Sequence, residues 1–140
     1  MYRGRFVLLG TPALAERMRD CSSDGEFLDQ LASEAIVSYA GDLPILRRFW
    51  SDAFAAEIVA EPALIAPDLR AVVVAVANGL GVSVVPAYLC ADAVMRGEVA
   101  ILKDAEAESS NELLLGWNRH AISCPGVAFL RGHFVAEFAA

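Results

Sequence analysis

The sequence predicts an α/β domain built on a mostly parallel sheet flanked by helices. Three observations carry this. Residues 68–86 read as an amphipathic helix, a glycine stop and a short buried strand closed by proline. Apolar runs of strand length alternate with helical patterns along the chain, the order that produces crossover units. The 140 residues, 56% of them hydrophobic, are one domain's length and too apolar for disorder.

Taken in order, Arg5 to Leu9 is a short strand, and Gly10-Thr11-Pro12 turns the chain into a helix over 13–19. Thr11 suits its cap and Pro12 its first position. Cys21 to Gly25 is a loop by composition, and Phe27, Leu28 and Leu31 mark a second short helix. Ala35 to Tyr39 is the next strand. A helix starting at Gly41-Asp42 follows, with Leu46, Phe49, Trp50 and Ala53 inward and Arg47, Arg48 and Asp52 outward. Glu57 to Ala60 reads as a strand, followed by a proline-containing loop.

In the next helix Leu69, Val72, Val73, Val76 and Leu80 fall on one face of a 3.6-residue period. Asp68 is placed to cap it, where a carboxylate meets orphan N–H groups and the positive end of the dipole. Gly79 suits the left-handed position past its last turn. Val82 to Val85 has the composition of a strand buried on both faces. A helix over 87–96 stops at Gly97, and Val99 to Leu102 is a strand. Asp104 to Asn111 is an acidic loop, Glu112 to Asn118 a strand, and Ser123-Cys124-Pro125 opens a last helix whose Val127, Leu130, Phe134 and Phe138 face a core.

Composition excludes several functions. A net charge of −7 offers no footprint for a phosphate backbone, so direct nucleic-acid binding is not expected. No apolar run reaches the ~20 residues of a membrane span, and the amino terminus carries no secretory signal, so a cytoplasmic location is expected. Cys21, Cys90 and Cys124 are odd in number and form no C-x-x-C pair, which suits reduced thiols.

The residues assemble no catalytic set. Gly79-Leu80-Gly81 follows a helix instead of preceding one, the reverse of a dinucleotide fingerprint. Cys90 has no histidine at a telling spacing, and two histidines, His120 and His133, without a His/Cys cluster give no zinc pattern. No metal or cofactor is expected. The helix start at Gly10-Thr11-Pro12 offers N–H groups to an anion, as every helix start does. In an open α/β sheet, ligands sit beyond the carboxyl ends of strands. That qualifies two loops, Ser38 to Asp42 with Ser38, Tyr39, Gly41 and Asp42, and the turn after Leu9; Asp68 and Arg70 offer charges at the start of another helix, the alternative being ordinary strand-to-helix turns.

The stretch LRAVVVAVANGLGVSVVPAYLC (residues 69–90) resembles the effector-domain core of LysR-type transcriptional regulators. Arg96 to Leu102 resembles the family's continuation, Glu112 to Trp117 its return strand, and Pro125 to Phe138 its closing helix. Phe6 to Pro12 resembles the opening of the second subdomain, and Ala35 to Trp50 a strand and a tryptophan-bearing helix. The resemblance implies a periplasmic-binding-protein-like effector subdomain that senses a small molecule and does not catalyse. It implies one partial effector domain over 1–140: a second-subdomain region over about 1–110, and a strand and helix over about 111–140 that pack on a first subdomain. The family's helix-turn-helix head is not in this sequence. The partners expected are therefore a small-molecule effector and either a second copy, as a homodimer, or an intact regulator. A stand-alone dimerising interaction protein is the alternative, and a small enzyme of another type a third.

Overall fold

The computed structural model describes residues 3–105, 110–112, 116–121 and 123–138. The chain divides into two compact units, Arg5–Ser109, and Met1–Gly4 with Ser110–Ala140. Ten elements account for the first: β1 (Arg3–Gly10, from residue 5 on), α1 (Pro12–Met18), α2 (Asp24–Leu31), β2 (Val37–Ser38), α3 (Pro44–Phe54), β3 (Leu64–Ile65), α4 (Leu69–Ala77), β4 (Ser83–Pro86), α5 (Ala87–Met95) and β5 (Ala100–Asp104). The second holds β6 (Ser110–Glu112) and α6 (Pro125–Phe138).

β1 lies between β4 and β5 and runs antiparallel to both. Phe6 stands opposite Pro86 and Leu9 opposite Ser83; Val7 stands opposite Asp104 and Gly10 opposite Ala100, with a register shift between Leu8 and Leu9. β2 and β3 pair in parallel, Val37 with Leu64 and Ser38 with Ile65. A parallel bridge between Ile36 and Val82 joins β2 to β4, made by Val37 N–H to the Val82 carbonyl at 2.9 Å and Val82 N–H to the Ala35 carbonyl at 2.8 Å. The order across is therefore β3, β2, β4, β1, β5.

This corrects the expectation of a mostly parallel sheet. The β4–β1 and β1–β5 ladders are antiparallel, because β1 is inserted between two strands that a crossover through α5 sets parallel to each other. Strands β2 to β5 all point one way and β1 points the other. A strand buried on both faces has the same composition in either direction, so residue type could not reveal it.

Side-chain alternation along β1 divides the core in two. Phe6 and Leu8 pack with Leu14, Met18, Phe27, Leu31, Leu46, Phe49 and Trp50 of α1, α2 and α3; Val7 and Leu9 pack with Val72, Val76, Cys90 and Ala93 of α4 and α5. An aromatic group closes the first core: the Trp50 and Phe54 rings are 5.5 Å apart and those of Phe27 and Phe54 5.7 Å. Lys103 of β5 lies 5.5 Å from the Phe54 ring centre and 3.0 Å from Asp24, joining sheet, α2 and α3.

Local signals set most boundaries. Thr11 Oγ1 accepts the Leu14 N–H at 3.2 Å and Pro12 opens α1. Ser23 Oγ accepts the Glu26 N–H at 3.2 Å while Glu26 accepts from Ser22, and this reciprocal cap draws Gly25 into α2, where a loop was expected. Glu57 to Ala60, expected as a strand, makes no ladder; β3 lies later, at Leu64–Ile65, inside the expected loop. Leu80 is exposed past the end of α4, not in the core. Of the strand expected over 112–118, Glu112 ends β6, 113–115 lie outside the described residues and 116–118 are irregular. Leu130 and Phe134 of α6, expected to face a core, are exposed, as are Phe129 and Val135.

Gly81 has φ +146, and a Cβ there would stand 2.2 Å from the Ala35 carbonyl oxygen, the group that receives the Val82 N–H. Gly81→Ala therefore strains the backbone and breaks the bridge joining β2 to β4. We expect a loss of about 3 kcal/mol or more in urea unfolding; a loss below about 1 kcal/mol contradicts this reading.

Candidate functional site

Because β2, β3 and β4 point the same way, their carboxyl ends share one edge, and α3, α4 and α5 start from it. Each helix turns its partly positive amino end toward that edge. At the end of β2, Ser38 is buried, and its hydroxyl donates to the Ala40 carbonyl at 2.8 Å and accepts the Ala40 N–H at 3.3 Å. Tyr39 is half-buried against the α4–α5 core. Gly41 is exposed and rests on β3: a Cβ added to it would meet Ile65 Cδ1 at 3.6 Å. Asp42 is also exposed, its backbone carbonyl accepting from Arg47 Nε at 2.8 Å.

The Ala66 N–H donates to the Ser38 carbonyl at 2.8 Å, which ties the end of β3 to the end of β2. Two residues on, Asp68 caps α4, its Oδ1 accepting the Arg70 N–H at 2.8 Å. Thus Ser38, Tyr39, Gly41, Asp42 and Asp68 lie along one edge. Arg70 departs from them. Its side chain lines a hollow of about 700 Å³ between α4 and α5, with Val73, Val74, Leu89, Asp92 and Arg96.

Two features of the edge carried no sequence signal strong enough to single them out. Leu43, fully buried, holds the left-handed conformation (φ 54, ψ 44) at the start of α3, and no side chain caps that helix. A leucine in this region is uncommon, and its burial offsets the strain. Pro86 starts α5, again without a side-chain cap; its place after a buried strand was the available clue. Beside it, Arg5 and Asp104 form an ion pair at 2.8 Å between the start of β1 and the end of β5. Two uncapped helix starts can receive an anionic or hydrogen-bond-accepting group through backbone N–H donors.

The remaining chemical groups are dispersed. Cys90 is buried; burial pushes its thiol pKa up, and Sγ donates to the Ala87 carbonyl at 3.3 Å. His120 and His133 are exposed, in a turn and on α6. Among the described residues no three His, Cys, Asp or Glu side chains come together as a metal site. Gly79, at φ 75, follows the end of α4. Among the described residues no helix is long and apolar enough to cross a membrane.

Parallel strands and helix amino ends that meet at one exposed edge are the arrangement at which open α/β folds take their ligands. The comparisons are specific. Residues 2–139 match the LysR substrate binding domain family, and the chain belongs to it. It is a family of regulatory domains, not of enzymes. The chain is 31% identical over 122 residues to the HTH-type transcriptional regulator AbaB of Streptomyces antibioticus, covering 87% of this chain and 40% of that protein. It shares its fold with the C-terminal domains of a LysR family protein from Agrobacterium tumefaciens (TM-score 0.70, 18% identity, 96% of this chain and 61% of that one). The regulatory domain of AphB in Vibrio vulnificus is similar too (TM-score 0.68, 15% identity, 96% and 66%). The chain spans less than half the length of that curated relative.

Asp68→Ala removes the α4 cap, and we expect a loss of about 1 kcal/mol by chemical denaturation. An unchanged midpoint contradicts the capping role. Alkylation at neutral pH should modify exposed Cys124 first and leave Cys90 unmodified until the chain unfolds. Rapid labelling of native Cys90, read by peptide mass spectrometry, contradicts its burial.

Proposed function

We propose that the chain is the effector-sensing part of a LysR-type regulator and binds a small molecule at the carboxyl edge of β2 and β3. Ser38, Tyr39, Gly41, Asp42 and Asp68 are the proposed contacts; Arg70, whose side chain turns toward α5, contributes only through its charge near the α4 start. The observation that carries this is the joining of the two strand ends through the Ser38 carbonyl, which sets the Tyr39–Asp42 loop beside the capped start of α4. Backbone N–H groups, a phenol and two carboxylates then line one edge. Family membership supports a role by binding, without catalysis.

In this reading residues 1–110 form most of the second subdomain. The chain works in the cytoplasm and makes no direct contact with nucleic acid, consistent with its net charge of −7. Its protein partners are a second copy or an intact regulator. The exposed Phe129, Leu130, Phe134 and Val135 of α6 favour such protein contact, and they also support the alternative of an interaction protein that pairs without an effector.

The test is thermal unfolding of the 140-residue chain with a panel of small carboxylic acids and amino acids, since a ligand of the native state raises the midpoint. For a compound that does so, Tyr39→Ala and Arg70→Ala should each weaken binding about tenfold, or about 1.4 kcal/mol. If both leave the affinity unchanged, the site assignment fails. If no compound in the panel shifts the midpoint, the interaction-protein reading gains.

A further inference from the structure

We propose a second binding site on this chain, apart from the effector edge: the hollow between α2, α3 and the segment Ala56 to Ala63 takes a small apolar amine in its ammonium form. The hollow holds about 460 Å³, within the range of small-molecule sites. Its apolar lining comes from Leu28 and Leu31 of α2, Ile36 before β2, Trp50 of α3, and Ile58. Leu31, Ile36, Trp50 and Ile58 are buried members of the first core, so they present a fixed surface. The residues proposed at the effector edge are not part of this lining.

The segment that forms one wall is held lightly. After α3 the chain turns at Ala55, which is left-handed (φ 49), and the Ala56 N–H reaches the Trp50 carbonyl at 3.5 Å. The next backbone bond runs from the Ala63 N–H to the Ile36 carbonyl at 2.9 Å. Among the described residues, no backbone group from Glu57 to Pro62 is bonded to another. Ile58 anchors the segment from inside, whereas its neighbour Val59 is 92% exposed. A wall fixed at two ends and by one side chain adjusts to a guest without breaking backbone bonds.

Charge selects the guest. The ionised lining residues are Glu34, Glu57 and Glu61, all acidic. Glu34 is already held by Arg17 at 2.6 Å. Glu57 and Glu61 are exposed at the rim and make no ion pair among the described residues. An apolar body against Trp50 with an ammonium at the rim satisfies both parts of the lining at once. The indole covers apolar surface, and the two free carboxylates accept charge-assisted N–H donors. A carboxylate of the same shape meets like charge at the same rim. Exposed carboxylates contribute modestly, so the guest binds weakly and by both parts together.

Titration of the 140-residue chain with phenethylamine tests this, read by Trp50 fluorescence. Trp50 and Trp117 are the two tryptophans, so a Trp117→Phe background gives the signal one source. We expect a saturable change at millimolar concentration, with hydrocinnamate, of similar shape and opposite charge, about tenfold weaker. Glu57→Gln together with Glu61→Gln should weaken the amine about fivefold and narrow its advantage over the acid. Both positions are exposed, so the fold is not at stake. Tyr39→Ala, at the effector edge, should leave amine binding unchanged, so the two sites are judged separately. Absence of a saturable change overturns the proposal, as does equal binding of the acid or indifference to the paired glutamine substitutions. Loss of amine binding in Tyr39→Ala overturns it too, and assigns the amine to the effector edge.

Discussion

The larger unit depends on the burial of β1. Val7, Leu8 and Leu9 have no exposed surface, and they send alternate side chains into two separate cores. One short strand thus supplies the shared wall for α1, α2 and α3 on one side and α4 and α5 on the other. Its direction has a second effect. Running against β4 and β5, it leaves those two strands parallel and separated by its own width, which the α5 crossover spans. With β2 and β3 aligned to β4, every crossover helix starts at the same edge.

Much of this was legible where local chemistry and burial agree. From Asp68 to Pro86, cap, apolar period, glycine stop and buried strand each follow from a side chain's own preference, and apart from the exposed Leu80 the structure places them as read. β3 was not legible. Leu64 and Ile65 are both exposed, so no alternation marks them; backbone bonds to β2 alone make them a strand. The reverse holds at Glu57 to Ala60. There Ile58 is buried and Val59 exposed, the alternation of a strand, but no neighbour pairs with it. Period-two patterning reports which side chains face inward, and pairing is decided by what the rest of the chain brings alongside.

The candidate edge divides in the same way. Asp68 was readable as a cap because its role is local. That Ser38 would be tied to the start of α4 depended on β3, the strand the pattern hid. Arg70 shows the limit most clearly: sequence proximity to Asp68 placed it at the rim, while the turn of the helix carries its side chain onto the α5 side. Leu43 is the converse case. No residue preference announces a left-handed leucine, and its conformation follows from fixing the side chain in the first core while the main chain turns into α3.

α4 therefore meets three environments within nine residues. Val72 and Val76 hold it to the sheet, Asp68 closes its end at the polar edge, and Val74 faces outward. On a helix these directions are separated by 100° steps, so a substitution in one leaves the others geometrically intact. They remain coupled through the backbone they share. A ligand that competes for the Arg70 N–H held by Asp68 acts on the first turn, and that turn also carries the Arg70 side chain to the outer face. The connection runs through a single turn of helix, so the cap at the polar edge and the placement of the Arg70 side chain on the α5 side rest on the same few backbone bonds.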